Sequence, residues 1–240
     1  MASHDSDGLA ATTAAILVAA GSGVRMGAPV PKALVPLAGR PLLAWSLAAL
    51  AASAEVDAIV VAAPADRVSD VEGVVRAEGG AGAVVAGGAS RAESVAAGLE
   101  AIPAGSGIVL VHDAARPLLT PAIVAAVVAG LDDADGAIAA RPVADTLKRS
   151  DGRAIPVIAG TVDRAPLWAA ETPQAFWSHV LRVAVARARD EGRLAAATDC
   201  ASLVEAIGGR VRLVATPGPN LKVTIRSDLA LAERLLLDGG

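Results

Sequence analysis

The sequence has a single cysteine, Cys200, among its 240 residues. One cysteine cannot form an internal disulfide, and no paired cysteine and histidine spacing accompanies it that would indicate a structural zinc site. Cys200 also has no partner for a nucleophilic dyad. These absences favour a reducing compartment, and the chain is expected in the cytoplasm.

Long apolar runs and aromatic side chains are also scarce. The chain has one phenylalanine, no tyrosine and three tryptophans, although 54% of its residues are hydrophobic. No run reaches the roughly 20 apolar residues that a membrane span needs, and residues 1–13 do not have the features of a signal peptide. We expect no membrane partner, a disordered tail over residues 1–13, and one domain over residues 14–240.

Positive charge is not concentrated anywhere. The net charge is −4, and the 21 basic residues are spread along the chain. A continuous basic face is therefore absent, which argues against nucleic acid as a partner. Any anion that the protein binds must be held by a local site.

Apolar runs alternate with helical segments, which predicts an α/β fold. The predicted elements are a buried strand over 14–20, a helix over 41–52, a strand over 56–62, a helix over 65–77 and a strand over 83–86. Ser90 and Glu93 have the spacing of a capping box at the start of the next helix, and a strand follows over 107–111. We expect a Rossmann-like, mostly parallel twisted sheet with helices on both faces.

The alternation fails between residues 145 and 166. Two short β segments flank Ser150-Asp151-Gly152, which is a turn signal, and they predict a protruding β-arm. Such an arm has too little core to be stable alone. We expect it to pack on a second copy of the chain and to form a homodimer.

Three predicted strands end in glycines or polar residues. The ends are Gly21 to Gly23, Gly87-Gly88, and the run from His112 to Pro117. In an open parallel sheet, ligands bind beyond the carboxyl ends of the strands. We expect the three ends to converge on one site.

The glycine loop at 21–27 fits neither the Walker nor the dinucleotide-binding spacing, and a plain strand-to-loop turn would explain the glycines alone. Arg25 and Lys32 follow within eleven residues of Gly21, however. Backbone N–H groups combined with fixed cations are typical of a polyphosphate site.

Four further residues have alternative interpretations. Asp113 could hold a metal or a hydroxyl and Arg116 a phosphate, or the two could form an internal ion pair. Lys222 lies in an otherwise apolar predicted strand, where a charge is costly unless an anion meets it. His112 is expected to be a packed, hydrogen-bonded residue rather than a general base.

Eight segments, spread over nearly the whole chain, carry a family resemblance. They are AAGSGVRMGAPVPK, GGASRAESV, VHDAARP, DTLKR, TVDR, ETPQAF, TDCAS and NLKVT. In this order they resemble the 2-C-methyl-D-erythritol 4-phosphate cytidylyltransferases of the non-mevalonate isoprenoid pathway. The first segment is shared by many sugar nucleotidyltransferases, whereas HDAARP followed by DTxK, TVDR and TPQ is much narrower.

The resemblance implies that CTP and 2-C-methyl-D-erythritol 4-phosphate react to give 4-diphosphocytidyl-2-C-methyl-D-erythritol and pyrophosphate, with Mg²⁺ on the triphosphate. The catalytic residues it implies are Arg25, Lys32, Arg164 and Lys222. The implied nucleotide-binding residues are Ala20, Gly21, Gly23, Gly88, Ser94 and Asp113. The implied substrate-binding residues are Asp113, Arg116, Thr146, Arg164 and Thr198. Thr146 and Arg164, on the β-arm, would act in the partner subunit's site, and Asp113 is a possible metal ligand.

The sequence departs from the family pattern at three places, and two alternatives stay open. Ala33 stands where glutamine is common, Ala89 where an acidic residue is frequent, and residues 225–228 differ from the usual Thr-x-Pro-Glu-Asp. Because Ala89 lies near the expected base pocket, the choice of CTP depends on the resemblance. The alternatives are a cytidylyltransferase for another polyol phosphate, such as ribitol 5-phosphate, and an inactive nucleotide-binding regulatory module.

Overall fold

A seven-stranded sheet forms the centre of the fold in a computed structural model that describes residues 11–21, 26, 30–80 and 82–238. The strands are β1 (Thr13–Val18), β2 (Pro36–Leu37), β3 (Arg40–Pro41), β4 (Ala58–Ala63), β5 (Ala83–Ala86), β6 (Ile108–Asp113), β7 (Gly136–Pro142), β8 (Lys148–Ser150), β9 (Ile158–Thr161), β10 (Trp168–Trp177) and β11 (Val211–Ala215). The helices are α1 (Leu42–Ala51), α2 (Val68–Ala77), α3 (Arg91–Ala101), α4 (Pro121–Ala129), α5 (Ser178–Asp190), α6 (Cys200–Ala206) and α7 (Arg226–Asp238).

The strand order in the main sheet is β11-β7-β10-β6-β1-β4-β5. Every neighbouring pair is parallel except the two that involve β10, which runs antiparallel to both β6 and β7. The predicted α/β fold, with a mostly parallel sheet, is therefore confirmed. Strand β10 was not predicted, because its sequence WAAETPQAFW has polar residues and a proline at its centre, which are typical of a loop.

Helices cover both faces of the sheet, as predicted. One core cluster joins the sheet to α1, α2 and α4, and a second joins the opposite face to α3, α5 and α6. Helix α3 packs closely on β1 at Gly98, where an added Cβ would lie 2.6 Å from Ile16 Cγ2. Because β1 is covered on both sides, its residues from Ala14 to Leu17 are fully buried.

Several predicted boundaries shift by one or two residues, and one predicted strand is wrong. Thr13, assigned to the tail, already belongs to β1, and its N–H donates to Asp57 Oδ2 at 2.7 Å. Strand β1 ends at Val18 rather than at residue 20, and Pro41 precedes α1 rather than beginning it. The segment 220–224, predicted as a strand, has no regular secondary structure. Residues 1–10 of the predicted tail lie outside the described residues.

Strands β8 and β9 form a separate antiparallel sheet, within the segment predicted as the β-arm. The sheet and the turn that joins its strands are largely exposed; Ile155 and Val157 in the turn are 85% and 58% exposed, and Ile158 at the start of β9 is 65% exposed. Exposed apolar side chains of this kind are typical of a contact surface. Dimerisation through the β-arm stays a prediction. Within the described part of the chain, no helix is long and apolar enough to cross a membrane.

Candidate active site

A cleft of about 390 Å³ lies at the carboxyl ends of β1, β5 and β6. The three strand ends predicted to converge all contribute to it, through residues 18–21, 88–91 and 113–115. Backbone hydrogen bonds fix their spacing: the N–H of Gly87 donates to Ala63 O, and that of Ala114 donates to Val18 O. A smaller cleft of about 240 Å³ shares Arg91, Asp113 and Lys222 with this larger cleft.

The structure brings together most of the residues that the sequence singles out. The larger cleft is lined by Ala20, Gly21, Lys32, Gly88, Ser94, Asp113 and Lys222. The smaller cleft adds Arg116 and Thr198. Thr146 and Arg164 lie on exposed segments beside β8 and β9, and neither is among the described residues that line the two clefts. Gly23 and Arg25 lie outside the described residues.

The N-terminus of α3 opens onto the larger cleft and carries the predicted capping box. Ser90 Oγ accepts from the Glu93 N–H at 3.2 Å, and Glu93 Oε2 accepts from the Ser90 N–H at 2.7 Å. Ser94 Oγ accepts from the Gly88 N–H at 3.2 Å, which fixes the glycine turn against the helix. A helix N-terminus carries positive partial charge and is therefore suited to an anion.

Asp113 is the centre of the charge arrangement between the two clefts. Its Oδ2 lies 2.6 Å from Lys222 Nζ, and its Oδ1 lies 2.9 Å from Arg91 Nε. Burial alone would raise the pKa of Asp113, but the charges of Arg91 and Lys222 outweigh it and hold that pKa well below its usual range. The ion pair between Asp113 and Arg116 that the sequence allowed is therefore not formed, and Asp113 instead pairs with Arg91 and Lys222.

Arg116 belongs to a buried polar network with Asn220 and Glu171. Its Nη1 donates to the Asn220 carbonyl oxygen at 2.6 Å and lies 3.8 Å from Glu171 Oε1. Burial lowers the pKa of the Arg116 guanidinium. This arrangement leaves Arg116 at the edge of the smaller cleft, with part of its donor capacity already used by its own chain.

His112 is fully buried behind the cleft and is a packed, hydrogen-bonded residue, as predicted. Arg116 O can only accept a hydrogen bond, so Nδ1 is left to accept from Thr172 Oγ1 at 3.1 Å, which itself accepts from the Asp113 N–H at 3.1 Å. The network therefore assigns the ring proton to Nε2, which donates to Arg116 O at 3.2 Å. Burial lowers the pKa of His112 to about 4.

The segment that carries Lys222 is a loop fixed to the rest of the site. The N–H of Val223 donates to Ala115 O at 2.8 Å, and Val223 O accepts from Lys32 Nζ at 3.1 Å. Val223, which follows Lys222 in the chain, thus also binds the Lys32 ammonium, so the loop connects the two lysines that the sequence singled out. The anion that meets the Lys222 charge is the carboxylate of Asp113, from its own chain.

The residues present fit a divalent metal that is held mainly by its substrate. Asp113 is the only carboxylate among the described residues that line the larger cleft. No group of three or more potential ligands (His, Cys, Asp or Glu) occurs in the part of the chain that the structure describes. Mg²⁺ commonly binds through one or two carboxylates together with substrate phosphates, and one carboxylate matches that arrangement.

Four residues of this site were missed by the sequence analysis, namely Arg91, Glu171, Thr172 and Asn220. Each of them lies inside a segment that carries the family resemblance, in GGASRAESV, ETPQAF or NLKVT. Their position within those segments was therefore the sequence signal that could have identified these four residues. Residue type alone did not indicate which partner each side chain would meet across the fold.

A mostly parallel sheet with a glycine turn, a helix N-terminus and two lysines around the cleft at its strand ends is typical of nucleotide-binding α/β proteins. The family model "IspD: 2-C-methyl-D-erythritol 4-phosphate cytidylyltransferase" matches residues 13–238. The chain belongs to this family and is a nucleotidyltransferase.

Individual relatives agree with this assignment. A 2-C-methyl-D-erythritol 4-phosphate cytidylyltransferase of Cereibacter sphaeroides is 46% identical over 94% of this chain and 97% of its own length. The enzyme of the same name from Prochlorococcus marinus is 44% identical over 92% of this chain and 96% of its own. The crystal structure of the Thermus thermophilus enzyme of that name superposes with a TM-score of 0.74 at 34% identity, covering 95% of this chain and 98% of that one.

Proposed function

We infer that the chain catalyses the reaction of its family. It joins CTP and 2-C-methyl-D-erythritol 4-phosphate to give 4-diphosphocytidyl-2-C-methyl-D-erythritol and pyrophosphate, a step of isoprenoid precursor biosynthesis. The observation that carries this conclusion is the larger cleft, where Lys32, Lys222 and the N-terminus of α3 meet in a chain that matches the family from residue 13 to 238.

The reaction is a displacement at the α-phosphorus of CTP. An oxygen of the substrate's phosphate forms the new bond to that phosphorus, and the bond to the bridging oxygen of the β-phosphate breaks, releasing pyrophosphate. Negative charge builds on the α-phosphate oxygens as this happens. Fixed cations that face those oxygens lower the barrier without a covalent nucleophile. We assign this role to Lys32 and Lys222, together with Arg25 from the resemblance.

No general base is required, because a phosphate monoester is already anionic near neutral pH. The surroundings of His112 support this assignment. The ring is fully buried, both of its nitrogens are engaged by Thr172 and Arg116, and burial lowers its pKa to about 4. A neutral imidazole held in this way orders the strand end rather than accepting a proton from substrate.

We assign the nucleotide to the larger cleft. Ala20, Gly21, Gly88 and Ser94, with Gly23 from the resemblance, would line its cytidine and its phosphates. Mg²⁺, when bound, would neutralise the phosphates and polarise them towards attack, with Asp113 as the protein's carboxylate. A metal at Asp113 would compete with Lys222 for Oδ2, and the α-phosphate is the anion that would then receive Lys222. Arg91 would continue to hold the other carboxylate oxygen.

We assign the polyol phosphate to the smaller cleft, against Asp113, Arg116 and Thr198. Thr146 and Arg164 would complete this site from the β-arm of the second subunit in a homodimer. Their exposed positions, away from both clefts of their own chain, support a site shared between subunits. We place the enzyme in the cytoplasm, where Cys200 would remain reduced.

A substrate panel with the purified enzyme tests the proposal. Pyrophosphate release is measured with CTP or UTP, each combined with 2-C-methyl-D-erythritol 4-phosphate or ribitol 5-phosphate. We expect release from CTP with the methylerythritol phosphate. Turnover of ribitol 5-phosphate without turnover of the methylerythritol phosphate would instead favour the other polyol cytidylyltransferase. Binding of CTP without release in any combination would favour the inactive regulatory module.

A further inference from the structure

Asn220 lies two residues before Lys222, in a loop without regular secondary structure, yet the residue is only 5% exposed. Its Nδ2 donates two hydrogen bonds, to Glu171 Oε2 at 2.9 Å and to the Thr172 carbonyl oxygen at 2.8 Å. Asn220 is not among the described residues that line the two clefts. The side chain therefore meets the centre of β10, behind Glu171 and Thr172, two residues that themselves line the smaller cleft.

The main chain of Asn220 is fixed as well. Its carbonyl oxygen accepts from Arg116 Nη1 at 2.6 Å. Glu171 connects the network, because its Oε1 lies 3.8 Å from Arg116 Nη1 and 3.2 Å from Arg141 Nε. The carboxylate that accepts from the Asn220 amide is thus itself held by two arginines, and a hydrogen bond to a charged, oriented acceptor is stronger than a neutral one.

A second attachment lies directly after Lys222. The Val223 N–H donates to Ala115 O at 2.8 Å, and the buried Val223 side chain packs in a small cluster with Met26 and Leu37. Lys222 therefore lies between two fixed points, and its long side chain crosses the cleft edge to Asp113. The position of its ammonium depends on both points, since a flexible lysine has no fixed direction of its own.

We propose that Asn220 is a positioning residue that sets the place of the Lys222 ammonium in the site without contacting a substrate. The inference depends on the role proposed for Lys222 at the α-phosphate. An asparagine suits this position because one nitrogen supplies both N–H donors to two acceptors. Aspartate has the same shape, but it would place an oxygen against the Glu171 carboxylate and the Thr172 carbonyl.

A double-mutant cycle tests the proposal, with Asn220→Ala, Lys222→Ala and the double variant assayed by pyrophosphate release at saturating substrates and at enzyme concentrations high enough to keep slow variants measurable. We expect Asn220→Ala to lower kcat by about tenfold or more, since a misplacement of about 1 Å can cost roughly 10²-fold. In the Lys222→Ala background, the same substitution should change kcat by less than about twofold, because the group that Asn220 positions is already gone.

Asn220→Asp provides a second variant of unchanged volume, for use if the alanine variant folds poorly. We expect it to lose activity, and we expect Glu171→Gln to restore part of kcat in the Asn220→Asp background, because the glutamine amide can donate to the new carboxylate. Ser53→Ala is the matched control: it removes a buried hydroxyl that donates to Ala49 O at 2.9 Å at the end of α1. Ser53→Ala should leave kcat unchanged, both in the otherwise unsubstituted enzyme and in the Lys222→Ala variant.

Two results would overturn the inference. Equal fold losses from Asn220→Ala with and without Lys222 would show that Asn220 only stabilises the fold. A kcat of Asn220→Ala equal to that of the unsubstituted enzyme would show that the amide does not matter for the site. Failure of the role proposed for Lys222 is a distinguishable outcome, because Lys222→Ala on its own would then retain full activity.

Discussion

Lys222 Nζ lies 2.6 Å from Asp113 Oδ2, across 109 positions of sequence. The cation that we propose to act at the α-phosphate is thus paired with a carboxylate of its own chain. Arg91 holds the second oxygen of that carboxylate at 2.9 Å. Two cations on one carboxylate leave a local excess of positive charge, and this excess lies where the larger and smaller clefts meet.

The first prediction concerns the metal requirement. Asp113→Asn keeps the size of the side chain but removes the only carboxylate among the described residues of the larger cleft. If Asp113 contributes to Mg²⁺ binding, the Mg²⁺ concentration that gives half-maximal activity at saturating CTP should rise by about tenfold or more. A Mg²⁺ titration of pyrophosphate release measures this. Glu100→Gln, an exposed carboxylate on α3, should leave the titration unchanged, and an unchanged midpoint for Asp113→Asn would exclude the metal role.

The second prediction concerns the cations at the α-phosphate. Lys32→Ala should lower kcat by at least about 10²-fold, as for the loss of a preorganised donor in the transition state. Arg25→Ala should have a loss of similar size if the role implied by the family resemblance is correct. Steady-state kinetics at saturating substrates checks both. The control is Arg76→Ala, which removes an exposed cation on α2 and should retain full turnover. If Lys32→Ala also kept the turnover of the unsubstituted enzyme, the role proposed for Lys32 would be refuted.

Local features of the fold could be predicted from the sequence. The apolar run of β1, strand β5 and the capping box of α3 depend on neighbouring residues, and each is found where the sequence places it to within two residues. The convergence of three strand ends followed from the general geometry of parallel sheets. These features required no knowledge of distant contacts.

Features that depend on distant partners could not be predicted. Strand β10 is held by pairing with β6 and β7, and the buried polar residues at its centre have hydrogen-bond partners far along the chain, among them Asn220 and Asp199. Arg91 is the first residue of α3, and its sequence position does not reveal that it meets Asp113, 22 residues later. Lys222 was assigned to a strand because its neighbours are apolar, whereas the loop is fixed by hydrogen bonds to other elements.

The third prediction concerns sharing of the site between subunits. Arg164→Ala and Arg25→Ala each remove a group that the proposal assigns to a different chain of the same site. Mixed dimers of the two variants should recover part of the activity, because one of the two sites in a mixed dimer then has both arginines. The mixture is prepared by co-expression with two tags, and its turnover is compared with that of each variant alone. Turnover of the mixture no higher than that of the separate variants would favour sites built from one chain.

The fourth prediction concerns stability below neutral pH, and it follows from the burial of His112. The pKa of His112 is lowered to about 4 in the folded state, from an ordinary value of 6.5. Between these two values the unfolded chain binds a proton that the folded chain does not, so the free energy of unfolding falls as the pH falls through this window. From pH 7 to pH 5 the contribution of His112 amounts to about 2 kcal/mol.

Urea unfolding at pH 7 and at pH 5 measures this contribution. His112→Gln should lower the free energy of unfolding at both pH values, since it disturbs the hydrogen bonds to Thr172 and Arg116. Between pH 7 and pH 5, however, the variant should lose about 2 kcal/mol less of that free energy than the unsubstituted protein does. His179→Gln is the matched control, because that ring is exposed on α5, and the difference between the two pH values should persist in it. If His112→Gln and the unsubstituted protein lost equal stability between pH 7 and pH 5, the neutral imidazole assigned behind the cleft would be wrong. The conclusion that His112 orders the strand end without exchanging a proton would then lose its support.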